Sequence, residues 1–338
     1  MVSRKAALTV ARVVVCVAAL WIVLRGVSLG ELQSTLLTSD KKLLLLAVAL
    51  YFPVVLPQAY RLFWLLRAQG IHVGYLEALK VSLAGNFLNF ATPFGSNAGD
   101  LFKAYFVSLH TTQKTEAVTT VILDRFVGLA TLLMIAGGIT LLSPAGSRLA
   151  VVRPYILTML TIGVVALVVY RLPFARRLLA RESLTRWPLI EQVRRIDQAV
   201  HKFTGHVWAI IAAVAMTAFL QALALSAFFV IARAVGMRAE LENMPEYFAY
   251  FYTGTIISAL PGPPQGLGTV ELAYRFFFEP FGSPSQIICM AFAIRLTGLV
   301  CSLPGLLVTM TGAYRPRVQS TALAEAAEPV QVPGLDAP

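Results

Sequence analysis

Charge is scarce in this chain of 338 residues: Asp, Glu, Lys and Arg make up 13%, against about 25% in an ordinary soluble domain. A water-facing surface cannot be built from so few ionised side chains. Hydrophobic residues make up 57% of the chain, and its mean hydropathy is +0.73. Secreted disulfide scaffolds, DNA-binding modules and stand-alone soluble enzymes are excluded on that ground. Cysteine is nearly absent too. Cys16, Cys289 and Cys301 all lie in apolar runs and read as small buried hydrophobes, not as a disulfide or a metal site. The four histidines (72, 110, 201 and 206) keep to loops and span ends. The sequence has no GxxxxGK[ST] phosphate loop, HExxH pair, Cys/His cluster or GxSxG elbow, so neither cofactor nor metal is expected.

What the sequence has instead is long apolar runs. They predict full membrane spans at 6–24, 43–66, 117–142, 152–170, 207–235 and 286–312, each long enough for a hydrocarbon core about 30 Å thick. The opening MVSRK lacks a small-residue cleavage site after the run that follows it, so 6–24 reads as a retained span. The net charge of +11 sits in loops. Stretch 171–206 holds eight basic residues against three acids, which places it in the cytoplasm, with Arg4 and Lys5 before it and Arg315 and Arg317 after it. The basic excess therefore points to topology and anionic lipid, not to nucleic acid. Within that loop Leu189, Ile190, Val193, Ile196, Val200 and Phe203 share one helix face, as in an interfacial helix. The Ala-, Glu- and Pro-rich tail, 314–338, reads as disordered and cytoplasmic.

Parity then constrains the rest. With both termini inside, segment 75–110 must leave and return to one side. It is broken at Thr92-Pro93-Phe94-Gly95 and carries Lys103, His110 and Lys114 on its exit. Segment 245–283 obeys the same count and is broken at Leu260-Pro261-Gly262-Pro263-Pro264. Both are expected to be re-entrant helical hairpins, the first entering from the cytoplasm and the second from outside. Irregular backbone at membrane depth survives only under protein or beside a wet cavity.

The two halves also echo each other. Arg67-Ala-Gln-Gly70 recurs as Arg233-Ala-Val-Gly236, offset by 166 residues, and Pro93 recurs as Pro261, offset by 168. Ala104-Tyr105 recurs as Ala273-Tyr274, and Arg125-Phe-Val-Gly-Leu129 as Arg295-Leu-Thr-Gly-Leu299, offset by 169 and 170. The order is kept and the offset barely drifts. The fold expected is an all-α polytopic membrane protein. It has a single transmembrane domain at 1–313, with six full spans and two hairpins in an inverted-topology repeat (about 6–142 and 152–313). Broken helices meeting at mid-membrane are a transporter signature.

Ionisable groups inside apolar segments need a partner or a role. Asp100 and Glu271 each open a second half-helix, after Gly95-Ser-Asn97-Ala-Gly99 and Gly266-Leu-Gly268-Thr-Val. They are either macrodipole partners or the lining of a substrate or proton path. Arg125 lies about 13 Å into its span, beside Asp124, and Arg295 holds the matching position. Two readings stand: structural pairs, Arg125 with Asp100 and Arg295 with Glu271, or guanidinium forks for a lipid phosphate. Gln58, Arg61, Asn86, Asn89, Asn97, Gln221 and Gln265 are candidate polar support, and Arg12 also needs a partner.

At these residues the chain resembles the flippase-like transmembrane family typified by the membrane half of lysylphosphatidylglycerol synthetase/flippase. Three motifs carry the resemblance in order: Pro93-Phe-Gly-Ser-Asn97-Ala-Gly99-Asp100, Asp124-Arg125, and Pro264-Gln265-Gly266-Leu-Gly268-Thr-Val-Glu271. The chain departs from the family pattern at Asn97, where an Arg is usual, and in using Asp for both acids of the first half. The resemblance implies a cell inner-membrane protein that moves lipid or lipid-linked headgroups between leaflets. No soluble aminoacyl-transferase domain follows, so the synthetase activity is not expected.

The leading expectation is thus a carrier of anionic membrane lipid. Arg125 and Arg295 would grip the headgroup, and Asp100 and Glu271 would restrain those arginines or carry a proton. Asp124, Asn97, Gln265 and the backbone at Gly99, Gly266 and Gly268 would support the site, and a second copy of the chain or a lipid-pathway enzyme is a candidate partner. Two alternatives remain: a non-transporting accessory subunit of a lipid, hopanoid or glycolipid pathway, or a membrane-embedded lipid transferase, for which Glu31 and Asp40 are the sparse early carboxylates.

Overall fold

The computed structural model describes residues 29–91, 96–109, 111, 114–142, 149–171, 207–259 and 266–312. The expected first span at 6–24 with Arg12, the basic loop beyond Arg171 and the tail lie outside them, as do Pro93, Pro261 and Gln265. The described residues are helical, with no strand among them. Four helical stretches are long and apolar enough to cross a membrane: Lys41–Ala68, Lys114–Leu142, Ile210–Ala234 and Pro284–Thr311. The chain is a multi-pass membrane protein.

After α1 (Leu29–Thr38), Asp40 caps α2 (Lys41–Tyr51) by accepting from the backbone N–H of Lys42 and Leu43 at 2.8 and 3.2 Å. A 3₁₀ turn at Phe52–Val54, carrying Pro53, joins it to α3 (Val55–Ala68). Proline removes a ladder donor there, so the span bends without ending. Next come α4 (Tyr75–Ala91) and α5 (Ser96–Leu109), then α6 (Lys114–Leu142) and α7 (Leu149–Arg171). The second half runs α8 (Val207–Ala234), α9 (Met244–Ala259), α10 (Thr269–Phe278) and α11 (Pro284–Thr311). Ser283 and Gln286 form a capping box at the start of α11, which Gly312 ends in the left-handed conformation. The stretch 152–170 is helical within α7.

The matched Arg-Ala-x-Gly segments fold alike. After α3, the N–H of Gly70 donates to Arg67 O and that of Ile71 to Leu66 O, both at 3.0 Å. After α8, the N–H of Gly236 donates to Arg233 O and that of Met237 to Ala232 O, both at 3.1 Å. Both are Schellman stops, with the glycines at φ 81° and 79°. Helix neighbours match as well. α4 packs on α11 as α9 packs on α6; α3 touches α4 and α6 as α8 touches α9 and α11; α6 meets α8 as α11 meets α2. Each half-helix pair, α4/α5 and α9/α10, is packed together, and α5 and α10 lie against α6 and α11.

Small residues set the closest approaches. A Cβ on Gly99 of α5 would strike Gly85 O of α4, and one on Gly305 of α11 would strike Leu83 O of the same helix. Without lipid-excluding polarity to hold membrane helices together, such backbone contact is a main source of adhesion. The second half packs instead through rings. Tyr247, Tyr250, Phe251, Tyr274 and Phe278 are buried and meet with centroids between 4.9 and 6.0 Å.

Candidate functional site

The site is best built from its three ion pairs. On α6, Asp124 and Arg125 are adjacent, so they point in directions about 100° apart and cannot share a partner. Asp124 turns inward. Arg61 of α3 grips it with a two-pronged fork, Nε to Oδ1 at 2.6 Å and Nη2 to Oδ2 at 3.0 Å, and donates from Nη1 to Thr217 Oγ1 of α8 at 2.8 Å. Both side chains are 7% exposed. This clamp ties three spans, and Asp124 is fully engaged by it. Arg125 turns the other way and donates to Asp100 Oδ2 of α5 at 2.5 Å. These two stay open, at 29% and 30% exposure.

The matching pair in the second half is enclosed. Arg295 Nε donates to Glu271 Oε1 at 2.7 Å, and the Glu271 side chain is fully buried. Its other oxygen, Oε2, accepts from the N–H of Gly268 at 2.7 Å, closing a capping box at the start of α10. Gly268 reaches that geometry at φ 84° and Gly266 at φ 64°, values that a side chain would strain. The N–H of Gly99 is likewise taken, by Asn89 Oδ1 at 2.8 Å. Neither the Gly99 nor the Gly268 N–H is therefore open to a headgroup, contrary to the sequence expectation. Asn97 lies in the first turn of α5. Lys103, expected as an exit charge, is buried in α5 with its stem over Gly85.

The two arginines line different spaces. Arg125 and Asp100 sit in a groove of about 430 Å³ on the flank of α5 and α6, walled by Leu101, Val118, Ile122 and Phe126, all exposed. Arg295 and Glu271 sit in a cavity of about 260 Å³ between α2, α4, α8, α9, α10 and α11. A second cavity of about 300 Å³ adjoins it, and the two share Tyr51, Asn89, Phe90, Phe228, Thr255 and Gly298. In the second cavity Gln58 and Asn86 bond reciprocally: Asn86 Nδ2 donates to Gln58 Oε1 at 2.9 Å, and Gln58 Nε2 donates to Asn86 Oδ1 at 3.3 Å. Gln221 of α8 faces the same space.

The two adjoining cavities together form a partly open chamber between the helices, mainly apolar in its lining, with neutral amides and hydroxyls along it and one ion pair at one end. Such a chamber suits a polar group that must be kept from acyl chains. The family model of the lysylphosphatidylglycerol synthase TM region matches residues 9–305. The chain belongs to that family. No curated relative matches it. In this member of the lysylphosphatidylglycerol synthase TM region family, the sequence pointed to both outer pairs and to the amides as polar support. It carried no signal for Thr217, or for the stacked rings of Tyr51 and Phe228 that flank the chamber.

Proposed function

We propose that the chain is a flippase-like transporter that moves a lipid, or a lipid-linked anionic headgroup, between leaflets. The observation that carries this reading is the Arg295–Glu271 pair at one end of the chamber. A guanidinium fork matches a phosphate in shape and charge, and the carboxylate beside it neutralises and positions it when no phosphate is bound. Arg125 with Asp100, on the open flank, is a second contact point on the lipid's route. Family membership supports a lipid-related role.

The accompanying architecture is six spans with α4/α5 and α9/α10 as re-entrant hairpins, in an inverted repeat. Support comes from the paired Schellman stops, from the helix neighbours that survive exchange of the halves, and from the two Arg–acid pairs at equivalent places. The domain runs from 1 to 313 in the cell inner membrane, both termini cytoplasmic, as the basic loops require. Rocking of each hairpin, with the span it is seated on, against the remaining spans supplies alternating access.

Leaflet translocation in proteoliposomes tests this. Arg295→Lys keeps a counter-charge for Glu271 but removes the fork, and transport should fall about ten-fold, the cost of one bidentate contact. Wild-type rates in both Arg125→Ala and Arg295→Ala, in protein that inserts normally, overturn the reading.

A further inference from the structure

The chamber's lining also bears on what the headgroup is, an inference that rests on the transport reading above. Its charge is confined to one end. Glu271 is the one carboxylate lining either cavity, and both of its oxygens are engaged, by Arg295 and by Gly268. Beyond that pair the hydrogen-bonding wall is neutral. After their reciprocal bonds, Gln58 and Asn86 each keep one N–H and acceptor capacity. Gln221, halfway along an apolar span, has no hydrogen-bond partner among the described residues. Thr255 and Ser302 donate their hydroxyl protons to Phe251 O and Leu299 O of their own helices, so they offer lone pairs inward.

An amine-bearing headgroup fits this poorly. An ammonium is best matched by a carboxylate, and the one carboxylate in the lining is already engaged. A hydroxylated, uncharged group fits well, because each hydroxyl both donates and accepts, as the amides do. Tyr51 and Phe228, stacked at 5.7 Å with their planes 21° apart, give a flat apolar wall for the C–H face of such a group. We propose that the substrate headgroup is a phosphate joined to an uncharged polyol, with the phosphate at Arg295 and the polyol among Gln58, Asn86 and Gln221.

Inositol- and glycerol-headed lipids share this chemistry. The test reconstitutes the full chain in proteoliposomes and follows acyl-labelled phosphatidylinositol, phosphatidylglycerol and phosphatidylethanolamine separately. The two polyol lipids should cross about ten-fold faster than the ethanolamine lipid, one tenfold step in affinity. The faster of the two tells a sugar-like ring from glycerol. Gln221→Leu preserves the span and breaks no bond, and should slow the preferred polyol lipid about five-fold, the loss of one neutral hydrogen bond, without slowing ethanolamine. Faster transport of phosphatidylethanolamine overturns the polyol assignment and leaves the carrier reading standing. No transport of any of the three overturns both. An unchanged polyol preference in Gln221→Leu overturns the placement of the polyol. As a check independent of transport, inositol phosphate should raise the melting temperature of detergent-purified protein more than phosphoethanolamine does, and equal shifts count against the proposal.

Discussion

Asp100–Arg125 and Glu271–Arg295 are the same chemical pair at equivalent points of two similar halves, yet they live in different surroundings. The first lies on the flank with about a third of each side chain open; the second lines one end of the chamber with its carboxylate fully buried and its arginine 19% exposed. The difference teaches that sequence equivalence fixes the partners but not the dielectric around them. The second pair is held more tightly, because a fully buried carboxylate has no water to fall back on. An open pair gives up little when separated, and its arginine is correspondingly easier for a passing phosphate to recruit.

The largest expected effect comes from breaking an enclosed charge. Arg295→Ala should lower the unfolding free energy in detergent by about 3–5 kcal/mol, and Asp124→Ala should match it by stranding Arg61. Gly99→Ala comes next, at about 3 kcal/mol, since its methyl would force α4 and α5 apart. Its counterpart Gly268→Ala strains the turn, where the backbone stands at φ 84°, for about 1–2 kcal/mol. The smallest is Arg125→Ala, at about 0–1 kcal/mol. Chemical denaturation of the purified variants measures all five. Equal losses from Arg125→Ala and Arg295→Ala would erase the contrast between the pairs, while a wider gap would sharpen it.

Much of the fold was legible because membrane spans are written in composition, and breaks are written in proline and glycine. Helices α4 and α9 end at Ala91 and Ala259, next to the stretches where Pro93 and Pro261 led a break to be expected, and those stretches lie outside the described residues. The Arg125 and Arg295 partners were legible through the halves' constant offset. Asp124 was not. Its neighbour Arg125 suggested a shared role, and only the 100° turn between consecutive helical residues separates them, one toward Arg61 and the other toward Asp100. The chamber was legible as a set of amides but not as a place, since Gln58, Asn86 and Gln221 come from three helices with no common spacing. Lys103 misled for the opposite reason: a lysine near a segment's end reads as solvated, and nothing local announces that α4 lies across it with Gly85 making room.

At Leu83 and Gly305 the main chains of α4 and α11 touch with no side chain between them. Side chains act as bearings when helices shear, and here that layer is missing. Each helix therefore carries the other when it moves, although they belong to opposite halves of the chain. The mechanical units of this protein cut across the two halves of the chain, joining α4 to α11.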